Sequence, residues 1–200
     1  MIVNKLNKYI QMKTQILILI VSALTLSVFA SGNPTMMAEK SKSLVVETSL
    51  WKSDKVNIQI KEASGVTILD ETVKNTKNLR KYNLKNLPEG NYTLEISNDL
   101  KITTQEFSIN SSNVILSKEI KTVYKPVIIW NNNGFDVNLM TLGNTAFINI
   151  QDRDNNIVFA EKLETPAVHK RYDISSLASG EYTVTVAMNG RSFVSSNTKK

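Results

Sequence analysis

The chain has 200 residues, with 24 basic and 18 acidic side chains, a formal charge of +6 and no cysteine. The missing cysteine excludes disulfides, thiolate nucleophiles and cysteine metal ligands, and a lone histidine, His169, is too few nitrogen ligands for the usual zinc constellations. This length makes room for one or two domains, and the 42% hydrophobic content suits a packed core rather than a disordered chain.

At the N-terminus, Lys5, Lys8 and Lys13 precede the apolar run ILILIVSALTLSVFA (Ile16 to Ala30). That run has the length of a signal-peptide h-region and falls short of the 18 or more residues of a membrane-spanning helix. Val28 and Ala30 sit where a signal peptidase wants small side chains, so residues 1–30 are expected to be a signal peptide, with Met12 as an alternative start. Removing them takes away three lysines and no acid, which leaves a charge of +3 and no membrane span. The densest basic run, Arg80-Lys81 with Lys77 and Lys85, lacks the aromatic interleaving of a nucleic-acid site. No nucleic-acid partner is expected.

Next in the chain, VNIQIKE alternates Val56, Ile58 and Ile60 against Asn57, Gln59 and Lys61, the period of a strand that buries one face. Ser64-Gly65 then predicts a hairpin turn. YTLEI alternates likewise from Tyr92, and NVILSKEIKTVY continues as a further strand. Pro126 stiffens the junction that follows. WNNNGFDV holds Asn133-Gly134, a strong hairpin signal, and Asp154-Asn155-Asn156 marks another turn. YTVTV, from Tyr182, closes the pattern before an Asn189-Gly190 turn. After the apolar N-terminal run, no segment has helical period.

The same order of elements occurs twice, ninety residues apart. Gly180 falls on Gly90, Tyr182 on Tyr92, Leu177 on Leu87, Tyr172 on Tyr82, Glu161 on Glu71, and Ile148 and Ile150 on Ile58 and Ile60. In L-x-x-G-x-Y (Leu87, Gly90, Tyr92; Leu177, Gly180, Tyr182) the leucine plugs a core edge and the glycine allows a backbone that a Cβ would oppose. The tyrosine buries its ring while its hydroxyl reaches backbone, as in the tyrosine corner of immunoglobulin-like sandwiches. The expected fold is all-β: two tandem Ig-like antiparallel β-sandwich domains, residues 39–124 and 125–200. The second repeat is the shorter, stopping where the first continues into NVILSKEIKTVY. It should present an unpaired edge unless Lys118 to Tyr124 or an N-terminal segment covers it.

INIQDRDNNIVFAEKL, followed by YDISSLASGEYTVTVAMNGRSF, resembles the Ig-like modules of secreted Bacteroidota proteins. These include the C-terminal sorting domains of type IX secretion cargo and small secreted sandwich domains of unknown function. The resemblance covers Ala146 to Val194 best and Val56 to Ile109 nearly as well. It implies a secreted, periplasmic or cell-surface location.

The candidate chemistry is sparse. Asp152, Asp154 and Asn156 alternate as in a calcium loop, but an EF-hand would need glycine at Ile157 and glutamate at Leu163, so an ordinary hairpin is the simpler reading. His169 has no nucleophile or acid in a recognisable arrangement and reads as a half-buried packing residue. Glu71 and Glu161 belong to different repeats and read as surface strand residues facing a cross-strand lysine. Trp51 and Trp130 read as packing residues, although Trp130 beside Asn131, Asn132 and Asn133 has the composition of a sugar-stacking loop. The expectation is a non-catalytic envelope or extracellular interaction protein without cofactor or metal. It would bind a protein or cell-envelope component through a sheet edge or through the loops at Trp130 to Asn133 and Asp152, Asp154 and Asn156. The alternative is a carbohydrate-binding accessory module with a polysaccharide partner.

Overall fold

The computed structural model describes residues 36–39, 42–74 and 79–200. The signal peptide expected at residues 1–30 lies outside them. The described residues fold almost wholly as antiparallel strands, with a single 3-10 turn at Ser49–Trp51. No described helix is long and apolar enough to cross a membrane.

The first eight strands are β1 (Met36–Glu39), β2 (Ser43–Glu47), β3 (Lys55–Glu62), β4 (Thr67–Lys74), β5 (Leu79–Asn83), β6 (Gly90–Ser97), β7 (Lys101–Ile109) and β8 (Val114–Tyr124). They form a three-stranded sheet in the order β1-β2-β5 and a five-stranded sheet in the order β4-β3-β6-β7-β8. The alternation in the sequence decides which faces meet. Val56, Ile58 and Ile60 of β3, Tyr92, Leu94 and Ile96 of β6, and Leu44 and Val46 of β2 share one buried cluster between the two sheets.

The remaining strands are β9 (Val127–Asn131), β10 (Gly134–Met140), β11 (Ala146–Asp152), β12 (Ile157–Leu163), β13 (Ala167–Asp173), β14 (Gly180–Met188) and β15 (Arg191–Lys199). Here the sheets run β13-β10-β9 and β12-β11-β14-β15. Their core gathers Phe135, Val137, Ile148, Ile150, Tyr172, Tyr182, Val184 and Val186.

The ninety-residue repeat holds at the level of register. Ile58 pairs with Ile96 and Ile60 with Leu94, as Ile148 pairs with Val186 and Ile150 with Val184. A bulge even interrupts the edge hairpin at the same place, between Ile60 and Lys61 and between Ile150 and Gln151. Asn189 and Gly190 have φ of +52° and +70°, the two positive values a two-residue type I′ hairpin needs. Gly134 is required for another reason: a Cβ there would sit 1.9 Å from the backbone oxygen of Tyr172 on the neighbouring strand.

The two repeats touch through named side chains. Val123 of β8 packs against the second core, and Ile102, its partner across β7 and β8, is only 8% exposed. Glu95 accepts a hydrogen bond from the Arg191 guanidinium at 2.6 Å and lies 3.2 Å from the Lys61 ammonium. Burial pushes the Glu95 carboxyl up, but the Arg191 hydrogen bond and charge, with Lys61, outweigh it and hold the group below its ordinary value.

Candidate binding site at the open end of the second repeat

Both corners adopt one geometry. The Tyr92 hydroxyl donates to the Pro88 carbonyl at 2.8 Å and the Tyr182 hydroxyl to the Ala178 carbonyl at 2.8 Å. Gly90 and Gly180 share φ of +156°, a conformation that side chains with a Cβ rarely adopt. Leu87 and Leu177 each pack against the core of their own repeat. This ties the loop that follows the small sheet's last strand to an inner strand of the large sheet, β6 in one repeat and β14 in the other.

Glu71 and Glu161 do more than face a lysine. Each accepts a hydrogen bond from a buried tyrosine on the opposite sheet, Tyr82 and Tyr172, at 2.9 Å. Arg80 stands 3.9 Å from Glu71, and Lys170 bonds Glu161. Burial, then the glutamate hydrogen bond and charge, push both phenols well above their ordinary range. These pairs close one side of each sandwich, where β4 faces β5 and β12 faces β13.

The opposite side differs between the repeats. In the first, β7 has β8 beside it: Ile109 faces Val114 and Phe107 faces Leu116 across the pair. Phe107, Ile109 and Val114 are buried, Leu116 packs on them, and Phe107 stacks on Tyr92 with ring centroids 5.5 Å apart. In the second, β15 holds the place of β7. Gly180 pairs with Lys199 as Gly90 pairs with Ile109, and Tyr182 pairs with Asn197 as Tyr92 pairs with Phe107. Asn197 and Lys199 thus stand where the first repeat has core phenylalanine and isoleucine. Among the described residues no strand pairs with the outer edge of β15; Lys118 to Tyr124 stay in the first sheet as part of β8.

That exchange opens a groove of about 500 Å³ lined by Trp130, Asn131, Asn132, Asn197, Lys199 and Lys200, with Ile174 at its wall. Trp130 is half-buried; its ring lies 4.8 Å from Phe135 and its indole N–H donates to Ser195 on β15 at 2.9 Å. Lys199 donates to the carbonyls of Ser175 and Leu177. Asn131 caps its own turn by accepting from the Asn133 N–H, and Asn133 gives its carbonyl to the Ile174 N–H.

The other sequence candidates lie elsewhere. Asp152 accepts from the backbone N–H groups of Asp154 and Asn156, both at 2.9 Å, and from the Asn156 side chain at 3.0 Å. The Asn156 hydrogen bonds hold its carboxyl below the usual range. This is a self-satisfied turn outside the groove, and among the described residues no group of acids and histidines could hold a metal. His169 is exposed and bonded to Asn138 rather than half-buried, because the inward positions of β13 fall to Val168 and Tyr172. Trp51 is 4% exposed, with the Lys101 ammonium 4.7 Å over its ring.

Asn197 and Lys199 did not stand out in the sequence. Carrying the ninety-residue offset past Met188 reveals them, since it sets Asn197 on Phe107 and Lys199 on Ile109.

Residues 40–110 match the family model of the secretion system C-terminal sorting domain. The likeness to sorting domains is thus a finding, although it falls on the first repeat, from ahead of β2 through β7, rather than on the stretch from Ala146 onward. The sorting-domain match marks a secreted or cell-surface protein and is of a non-catalytic kind. No curated protein matches the chain. Among solved structures, the BSP domain of a biofilm associated protein is similar to 84% of the chain, at 16% identity and a TM-score of 0.27. The chain spans 29% of the length of that structure.

Proposed function

We propose that the protein is a non-catalytic interaction module of the cell surface or extracellular space. Its first repeat (residues 39–124) is the scaffold, and its second (residues 125–200) takes an extended partner strand along the outer edge of β15. One observation carries this reading: β7 is covered by β8, whereas β15, its repeat-mate in the same register, has no described strand on its outer side.

The character of that edge supports it. Natural sheets guard their edges with charges, bulges or short strands. Edge strand β4 carries Asp70, Glu71 and Lys74 beside a bulge, β12 carries Glu161 and Lys162 beside a bulge, and β8 carries Lys118, Glu119 and Lys121 beside a bulge. β9 is short, at 5 residues. β15 runs for 9 residues, pairs with β14 without interruption and has no charge from Ser192 to Thr198. An edge so built favours main-chain pairing with another strand. The carbohydrate alternative has Trp130 alone as a platform, because Trp51 is buried in the first core.

The test uses the exported chain and a labelled peptide with the β8 sequence, Val114 to Tyr124. Binding by fluorescence anisotropy, with new hydrogen-exchange protection confined to β15, is the expected outcome. A peptide N-methylated at alternate residues, unable to complete the ladder, should not bind. Equal binding of the two peptides, or protection elsewhere, would refute strand addition.

A further inference from the structure

We infer that the β15 edge selects a partner strand bearing a carboxylate side chain opposite Lys199. This rests on the strand-addition reading and adds the specificity of that site. The template is internal. In the first repeat the incoming strand β8 sets Val114 opposite Ile109 and Leu116 opposite Phe107, and their side chains fill the core between the sheets. The same register on β15 sets the corresponding partner residues opposite Lys199 and Asn197, over the groove that Trp130, Asn131, Asn132 and Lys200 also line. Valine and leucine there would cover an ammonium and amides without returning a hydrogen bond. A carboxylate answers the cation, and an amide or hydroxyl answers Asn197.

The charged side chains that line the groove are Lys199 and Lys200, with no aspartate or glutamate among them. Lys199 spends two of its three protons on the Ser175 and Leu177 carbonyls, which aims the ammonium and leaves one donor. Asp173 feels Lys199 too, but its carboxylate is engaged by Ser175. A second copy pairing β15 against β15 about Ser195 would put Arg191 opposite Lys199, and like charges directly opposed destabilise a strand pair. The occupant is therefore a partner protein's extended segment: uncharged along the lane, acidic where it passes Lys199.

The experiment compares two peptides on the full exported chain by anisotropy: the β8 sequence, and the same sequence with Val114→Glu. The acidic peptide is expected to bind about tenfold tighter at low salt, in line with a charge-assisted hydrogen bond, and to lose that advantage at high salt. Lys199→Gln and Lys200→Gln should each shrink the advantage of the acidic peptide over the unmodified one. Equal affinity for both peptides would overturn the carboxylate preference and leave strand addition standing. Binding of neither, with no protection of β15 amides, would remove the strand-addition reading and this inference with it. Concentration-dependent dimerisation that excludes both peptides would overturn the choice of occupant, as would displacement of the acidic peptide by a neutral oligosaccharide.

Discussion

Replacing Tyr182 by phenylalanine isolates one hydrogen bond. The ring is 5% exposed and stays in place, so packing is kept and only the hydroxyl's bond to the Ala178 carbonyl is lost. A net intramolecular hydrogen bond contributes about 0.5–1.5 kcal/mol, more when the orphaned partner stays buried. Ala178 lies in an exposed loop, so water can reach its carbonyl and the loss should be about 1 kcal/mol. Tyr92→Phe removes the equivalent bond to Pro88, also in an exposed loop and also 2.8 Å long, and should cost the same. Residues 34–200 form one compact unit; for a unit of that size each change lowers Tm by about 3 °C, and the double variant by about 6 °C if the sites are independent. Urea titration and calorimetry give both numbers. A loss under about 0.3 kcal/mol at either site, or a twofold disparity between them, would show that the two corners are not energetic equivalents.

Three other outcomes follow from the same contacts. Glu95→Gln should cost about 1–2 kcal/mol, the range for a largely enclosed carboxylate whose basic partners keep some solvent contact. Because the folded-state pKa of Glu95 is depressed, its contribution is present above the ordinary glutamate value and fades as the pH falls through the folded value. The variant should therefore lose its deficit relative to wild type in acid melts, and a deficit independent of pH would contradict the ion triad. The phenols of Tyr82 and Tyr172 are pushed upward, so their stabilisation holds below about pH 10 and is lost as pH rises through the folded values. Spectrophotometric titration should show the phenols of Tyr82 and Tyr172 ionising only as the protein unfolds, and Glu161→Gln should bring that of Tyr172 down. Asp152→Ala should lower Tm slightly while leaving peptide affinity unchanged; a drop in affinity would place that loop in the binding site.

The sandwich was legible because alternation, turn residues and the corner motif all state the same local requirement twice. Tyr92 and Tyr182 announce themselves by position, and the structure gives them matching partners. Glu71 and Glu161 were visible as a pair but not as tyrosine acceptors, since that bond runs between sheets and no periodicity within a strand encodes it. The groove was legible only in part. Trp130, Asn131 and Asn132 stood out by composition, whereas Asn197 and Lys199 looked like the polar tail of an ending strand. Their meaning lies in what they replace, Phe107 and Ile109, and replacement is read by comparing repeats rather than by reading one. His169 misled because a histidine between Val168 and Lys170 fits either face of a strand, and β13 turns that position outward.

Duplication also explains how an edge this unguarded persists. By strand register Trp130 stands where the first repeat has Ala38: Trp130 pairs with Phe135 as Ala38 pairs with Leu44, and Phe135 and Leu44 pair with Tyr172 and Tyr82. Beside β1, the strand that holds Ala38, the first repeat has β8 to close that side of the sandwich. The second repeat puts a large ring there instead and ties it to β15 through Ser195. The indole packs on Phe135, and among the described residues no strand pairs with the outer edge of β15. A bare edge in an otherwise identical frame would normally cost stability and solubility. Here the aromatic cap, the neutral hydroxyls and amides of Ser192 to Thr198, and the Arg191–Glu95 clasp to the first repeat offset that cost. Among the described residues, one copy of the fold has β8 beside its β7, and the other shows Trp130, Asn197 and Lys199 on the corresponding side.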